Sequence, residues 1–274
     1  MFAYRLASPF VLLALIFLYL AWTLDPGWAI WIVPFLLAAA VIFIFSAEIN
    51  WWHYQRRPPR LDSALARLLG KHCAYYQRLD PQEQRRFRER VALFRIGTDW
   101  TPMGWPEEME KLPPDVELAL AAPAVMLTFH QPEFLFHRFE KVIVYPRAFP
   151  SPEYPFPHSS ELYEEDGCLI FSAEHLMLGF LQAGARYHIG LHEYAYAYLS
   201  SWPDRPYPAL PEEGLLWEKL EAVSGLSRQQ VEGSIGIAGL PVLPVAIHHY
   251  FIYPERFAAE LPDVAAGLKR VFAA

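Results

Sequence analysis

The sequence predicts an α+β chain: two transmembrane helices, then a mainly helical domain with a small β-sheet. Three observations lead there. Two long uncharged apolar runs stand at the start. Stretches with helical apolar spacing fill most of the remaining chain, and two short runs rich in β-branched residues lie among them. At 274 residues and 54% apolar, the chain has the length for one substantial domain besides the apolar start.

The first run is PFVLLALIFLYLAWTL, from Pro9 to Leu24 and extendable back to Leu6; the second is WAIWIVPFLLAAAVIFIFSA, from Trp28 to Ala47. Each is close to the roughly 20 residues that a helix needs to cross a bilayer core. Asp25-Pro26-Gly27 makes the turn between them. Trp22, Trp28, Trp31, Trp51, Trp52 and Tyr54 stand near the ends, where amphipathic rings favour the interface. Pro34 is expected to kink or loosen the second helix. A cleavable signal is the alternative for the first run, but a second full-length run after so short a turn favours a hairpin. Arg5 precedes the first span and Arg56, Arg57 and Arg60 follow the second, while the turn carries no Lys or Arg. That asymmetry predicts both ends, and the domain, on the cytoplasmic side of the inner membrane. The expected division is a hairpin and juxtamembrane segment over 1–57 and a cytoplasmic domain over 58–274.

Residues 61 to 79 read as one amphipathic helix with Leu61, Leu65, Leu68 and Leu69 on its apolar face. Asp80-Pro81 then supplies an N-cap and a first-turn proline to PQEQRRFRERVALFR. Phe87, Val91 and Phe94 are its apolar stripe, and its arginines read as a solvated face. Pro113-Pro114-Asp115 opens VELALAAPAVMLTF, whose all-round apolarity predicts a buried helix. KVIVY (141–145) and CLIF (168–171) predict strands, and the proline-rich stretch between them, PRAFPSPEYPFPHSSELYEEDG, a loop. Helices are expected over about 172–181, 185–200, 212–223, 242–253 and 261–273.

The formal charge of -7 falls on the domain, because the spans hold only Arg5 and Asp25. Nucleic acid is therefore not expected as a partner, since phosphate binding needs a basic patch. RRPPR beside the spans reads as a topology anchor in touch with anionic lipid. Cys73 and Cys168 lack metal-ligand spacing and fit reduced thiols.

The chemistry concentrates in HIGLHEYAYAYL, residues 188–199. A hydrolytic zinc motif H-E-x-x-H sets two imidazoles one helical turn apart and places the glutamate to take a proton from metal-bound water. Here His192 and Glu193 have the right order, and Tyr196 stands at the second imidazole. A neutral phenol is a poor zinc ligand unless the metal deprotonates it. On spacing alone, a partly buried helix with incidental His and Glu remains the simpler reading.

The surrounding blocks add to it. LDPQEQRRFRERVALF, the helix from Pro114 to Phe129, EKVIVYPRAF (140–149), CLIFSAEHLMLG (168–179), HEYAYAYL (192–199) and HHYFIYPERFAAELPDVAAGLKRVF (248–272) succeed one another in the order of a known family. Over most of 77–273 the chain resembles the Mlc titration factor A family of zinc-dependent peptidases. The resemblance implies a gluzincin-like fold with an aminopeptidase-like zinc site, and some members of that family partner a transcriptional repressor. By it, His192 matches the first motif histidine and Glu193 the general base. Tyr196 takes the place of the second zinc histidine, and Leu199 that of a motif-adjacent aspartate. Glu140 aligns with a histidine near the metal, and His248, with His249 beside it, aligns with the downstream glutamate ligand.

Two readings stay open. Either the ligands have been exchanged, with Glu140, His192 and His248 binding zinc and Glu193 as base, or the site is dead and the domain serves a protein or peptide partner. His188, four residues before His192, offers a variant pair. His130, His137, His158 and His175 read as structural or exposed.

Overall fold

A computed structural model describes residues 2–273, and the chain divides into two compact units between Pro59 and Arg60. In the first, α1 (Phe2–Thr23) is followed by a 3-10 turn (Pro26–Trp31), α2 (Ile32–Ile44) and α3 (Ser46–Arg56). Asp25 caps the turn, its Oδ1 accepting the Gly27 N–H at 2.8 Å. The segments Phe2–Thr23 and Pro26–Ile44 are each long and apolar enough to cross a membrane, by length and composition. Pro34 lies in the first turn of α2, where a missing N–H leaves no bond unmade, so it starts a helix instead of kinking one. At the other end, the Ala3 N–H of α1 donates to Asn50 Oδ1 of α3 at 2.9 Å, satisfying an otherwise orphaned first-turn donor.

The second unit opens with α4 (Ser63–His72), α5 (Ala74–Arg78) and α6 (Pro81–Gly97). The single helix expected over 61–79 is broken at Cys73, whose backbone is extended (φ −100°, ψ 95°). The break buries Cys73 and Tyr76 in the core. Asp80 caps α6 with a full capping box, accepting from Gln82 and Glu83 while Glu83 returns to the Asp80 N–H. The arginines of α6 are not all solvated. Arg85 and Arg86 are exposed, but Arg95 pairs with Glu117 at 2.6 Å and Arg88 bonds the Tyr76 hydroxyl. Arg90 is buried and donates to the carbonyls of Thr128 and Gln131, both at 2.8 Å. It thereby supplies partners at the C-terminal end of α7 (Pro114–Thr128), the buried helix that the sequence predicts.

Four strands make one mixed sheet in the order β1-β2-β4-β3: β1 (Asp99–Pro102), β2 (Lys141–Tyr145), β3 (Ser160–Tyr163) and β4 (Cys168–Ser172). β1 and β2 run parallel, as do β2 and β4, while β3 is antiparallel to β4 and forms an edge. β3 lies inside the stretch expected to be a loop. Its residues Ser160 and Glu161 are buried although polar, which hides them from a search for apolar alternation. The remaining helices are α8 (Ala173–Leu181), α9 (Ile189–Ser201), α10 (Glu213–Ser224), α11 (Arg228–Ile235), α12 (Val242–Ile252), α13 (Pro254–Glu260) and α14 (Pro262–Phe272). α9 packs against α7, α8, α12 and β3 at once, so the motif sits at the centre of the domain.

Candidate functional site

His188 begins α9 with extended backbone, and its Nδ1 accepts the Leu191 N–H at 3.4 Å, a weak N-cap. α8 reaches this corner because residue 179 is glycine. A Cβ there would stand 2.7 Å from the Tyr187 carbonyl oxygen and 2.9 Å from the His188 Cα. One turn on, His192 and Glu193 are 1% and 3% exposed, so neither faces open solvent.

His192 belongs to a buried aromatic cluster. The Tyr187 hydroxyl bonds its Nδ1 at 2.7 Å, and the Tyr187 ring stacks on His248 with centroids 4.0 Å apart. The His188 backbone N–H donates to His248 Nε2 at 3.0 Å. That contact makes Nε2 the lone-pair nitrogen of His248 and leaves the proton on Nδ1, which has no partner. His249 donates from Nδ1 to the Val245 carbonyl at 2.7 Å, so its unpartnered Nε2 is an acceptor. Burial holds these imidazoles neutral: His192 falls to about 3, aided by neighbouring His249, and His188 and His249 fall to about 4. His248 lies well below the ordinary value through burial and its three histidine neighbours.

Glu193 belongs to a different neighbourhood. The Ser160 hydroxyl of β3 donates to its Oε1 at 2.7 Å. Close by, His158 Nε2 meets Glu161 Oε2 at 3.1 Å, and Glu161 Oε1 is buried without a partner. Burial lifts Glu193 to about 7 against the lowering by Ser160, and the charge of Glu161 adds to the rise. Burial pulls His158 down, but its bonds to Glu161 and to the Phe156 carbonyl raise it on balance. The end of α11 closes over this group. The Ser159 N–H donates to the Ile235 carbonyl at 2.6 Å, and Gly236 (φ +89°) comes so near that a Cβ would stand 2.9 Å from the His158 Cα.

The residues expected to hold zinc do not fit a zinc centre as they stand. Glu140 is not brought to the histidines: its Oε1 bonds His137 Nδ1 at 2.9 Å with both side chains largely exposed, so the strand start directs it to solvent. His248 has its lone pair on a backbone N–H. Tyr196 is half-buried against the core, as is Leu199. Among the described residues, no three His, Cys, Asp or Glu side chains converge as a metal-holding group. His175 is structural, bonding Ser172 Oγ at 3.0 Å, whereas His158 is fully sequestered. Sequence reasoning missed Tyr187, Ser160 and Glu161. Tyr187 directly precedes the N-cap of α9, but nothing in the spacing separates it from an ordinary core tyrosine.

A family model described as glucose-regulated metallo-peptidase M90 matches residues 49–197, which take in β1 to β4 and most of α9. No curated protein matches the chain at a significant level.

Proposed function

This chain belongs to the M90 family of glucose-regulated metallo-peptidases, the family of Mlc titration factor A, and we propose that it is a membrane-anchored member without a hydrolytic zinc centre. Its domain, held at the cytoplasmic face by the hairpin, serves instead to bind a protein or peptide. One observation carries this reading: the only lone pair of His248 is spent on the His188 N–H, so the residue aligned with the downstream ligand offers zinc nothing. The tyrosine at position 196 and the outward Glu140 are in keeping with it.

The test is zinc content and peptide hydrolysis of the purified full chain after loading with zinc at neutral pH. The expected result is zinc well below one per chain and no hydrolysis. One zinc per chain, with turnover abolished by Glu193→Gln, would overturn the reading.

A second reading, a zinc peptidase with exchanged ligands, has its own observation in its favour. Glu193 titrates near 7, where a general base works best. It requires His248 to release the His188 N–H and Glu140 to leave His137, and the same measurement decides it.

A further inference from the structure

A cavity of about 120 Å³ opens beside α5, α7, α8 and α12, lined mainly by apolar groups that include Cys73, Tyr75, Met126, Phe180 and Phe251. Its polar neighbours are mostly committed elsewhere. His72 Nδ1 bonds the Leu181 carbonyl at 2.9 Å, and the Tyr253 hydroxyl donates to the Gly184 carbonyl at 3.0 Å. Burial raises the Cys73 thiol to about 11, so it stays protonated and apolar in character. The space is near the ~150 Å³ in which an apolar protein cavity accepts benzene.

A second cleft continues from it, sharing Gly184, Ile252 and Tyr253 as lining and adding Arg78, Glu255 and Arg256. Arg78 donates one N–H to the Phe251 carbonyl at 3.2 Å, and among the described residues neither arginine is held in an ion pair. Two exposed guanidinium groups thus stand at the mouth of an apolar pocket. Guanidinium groups grip carboxylate and phosphate oxygens with paired hydrogen bonds, which an apolar occupant alone would leave unused.

We propose that this site binds a small amphiphile, with an apolar tail of about six carbons in the cavity and a carboxylate or phosphate head on Arg78 and Arg256. The site involves none of His192, Glu193 or Tyr196, so it stands whether or not the domain hydrolyses peptides.

Calorimetry of the full chain in phosphatidylcholine nanodiscs tests this, with hexanoate and hexanol as probes and empty nanodiscs subtracted. Hexanoate is expected to bind saturably and about tenfold or more tighter than hexanol. Arg78→Gln with Arg256→Gln is expected to remove that advantage while leaving hexanol unchanged. Ala183→Phe, at an exposed position on the cavity lining, is expected to block both. Circular dichroism verifies the fold of each variant. Absence of saturable hexanoate binding, or binding indifferent to the arginine pair, overturns the proposal. Repeating the titration in nanodiscs containing phosphatidylglycerol identifies the source of the head group. Loss of hexanoate binding there means that a bilayer lipid occupies the site, and retention means a free acid.

Discussion

His192 and Glu193 are adjacent on α9, yet they answer to different parts of the domain. His192 faces Tyr187 and the histidines of α12, a set of neutral rings joined by stacking and single hydrogen bonds. Glu193 faces β3, in a group of two carboxyls, an imidazole and a serine. In a working zinc hydrolase both would serve one water. Here the pair kept in sequence is divided between a packing role and an acidic one, so the two sides should respond differently to the same perturbation.

The largest difference is expected in packing. His248→Ala removes a fully buried ring, its stack on Tyr187 and the acceptor of the His188 N–H, and should cost about 3 kcal/mol of stability. Urea denaturation followed by tryptophan fluorescence measures it. A loss no greater than that of an exposed substitution would show that the ring cluster is not a structural core.

The pH dependence separates the sides by sign. The imidazoles bind protons only at about 3 to 4 when folded but near 6.5 when unfolded. Their contribution is therefore full above 6.5 and lost as pH falls toward 4 and below. Glu193 is raised to about 7 from 4.5, so its contribution is full below 4.5 and lost as pH rises through 7. Glu193→Gln should accordingly gain about 2 kcal/mol relative to the parent chain between pH 4.5 and 8. Denaturation midpoints at several pH values measure this, and a parallel pair of curves would contradict the assignment.

A smaller effect tests the closure over the acidic side. Gly236→Ala places a Cβ against the backbone of His158 and strains a left-handed position, at a cost of about 1–2 kcal/mol. Hydrogen exchange should then rise at Ser159 and spare the amide of His188. The smallest effect belongs to Tyr196→His. Restoring the motif imidazole should change stability by less than about 0.5 kcal/mol and leave zinc retention where it was, because His248 and Glu140 are still committed elsewhere.

Much of the scaffold was legible because local chemistry fixed it. Asp80-Pro81 and Glu83 announced α6, the β-branched runs announced β2 and β4, and the all-apolar stretch announced α7. The break at Cys73 was not legible, since the heptad-like leucines run up to it without a glycine or proline. β3 escaped because its buried positions are polar, a choice made by Glu193 and His158 across the fold and not by its own neighbours in sequence. The same limit applies to the site. His192, Glu193 and His248 could be chosen from their order along the chain, and the structure does gather His192 and His248 around Tyr187. Glu140 could not be judged that way, because one rotation about a strand start decides whether a carboxylate points to a metal or to His137.

His188 ties the amphiphile pocket to the motif by three short connections. Its ring lines the cavity, its Nδ1 caps α9, and its backbone N–H holds His248. Whatever orders that one residue is felt by both neighbours, and thermodynamic reciprocity gives the coupling the same size in either direction. A ligand that steadies His188 from the cavity side tightens the grip on His248, and a partner that engages the motif helix sharpens the pocket's affinity in return. The degenerate motif would then have kept a use as the transmitting half of a two-site device.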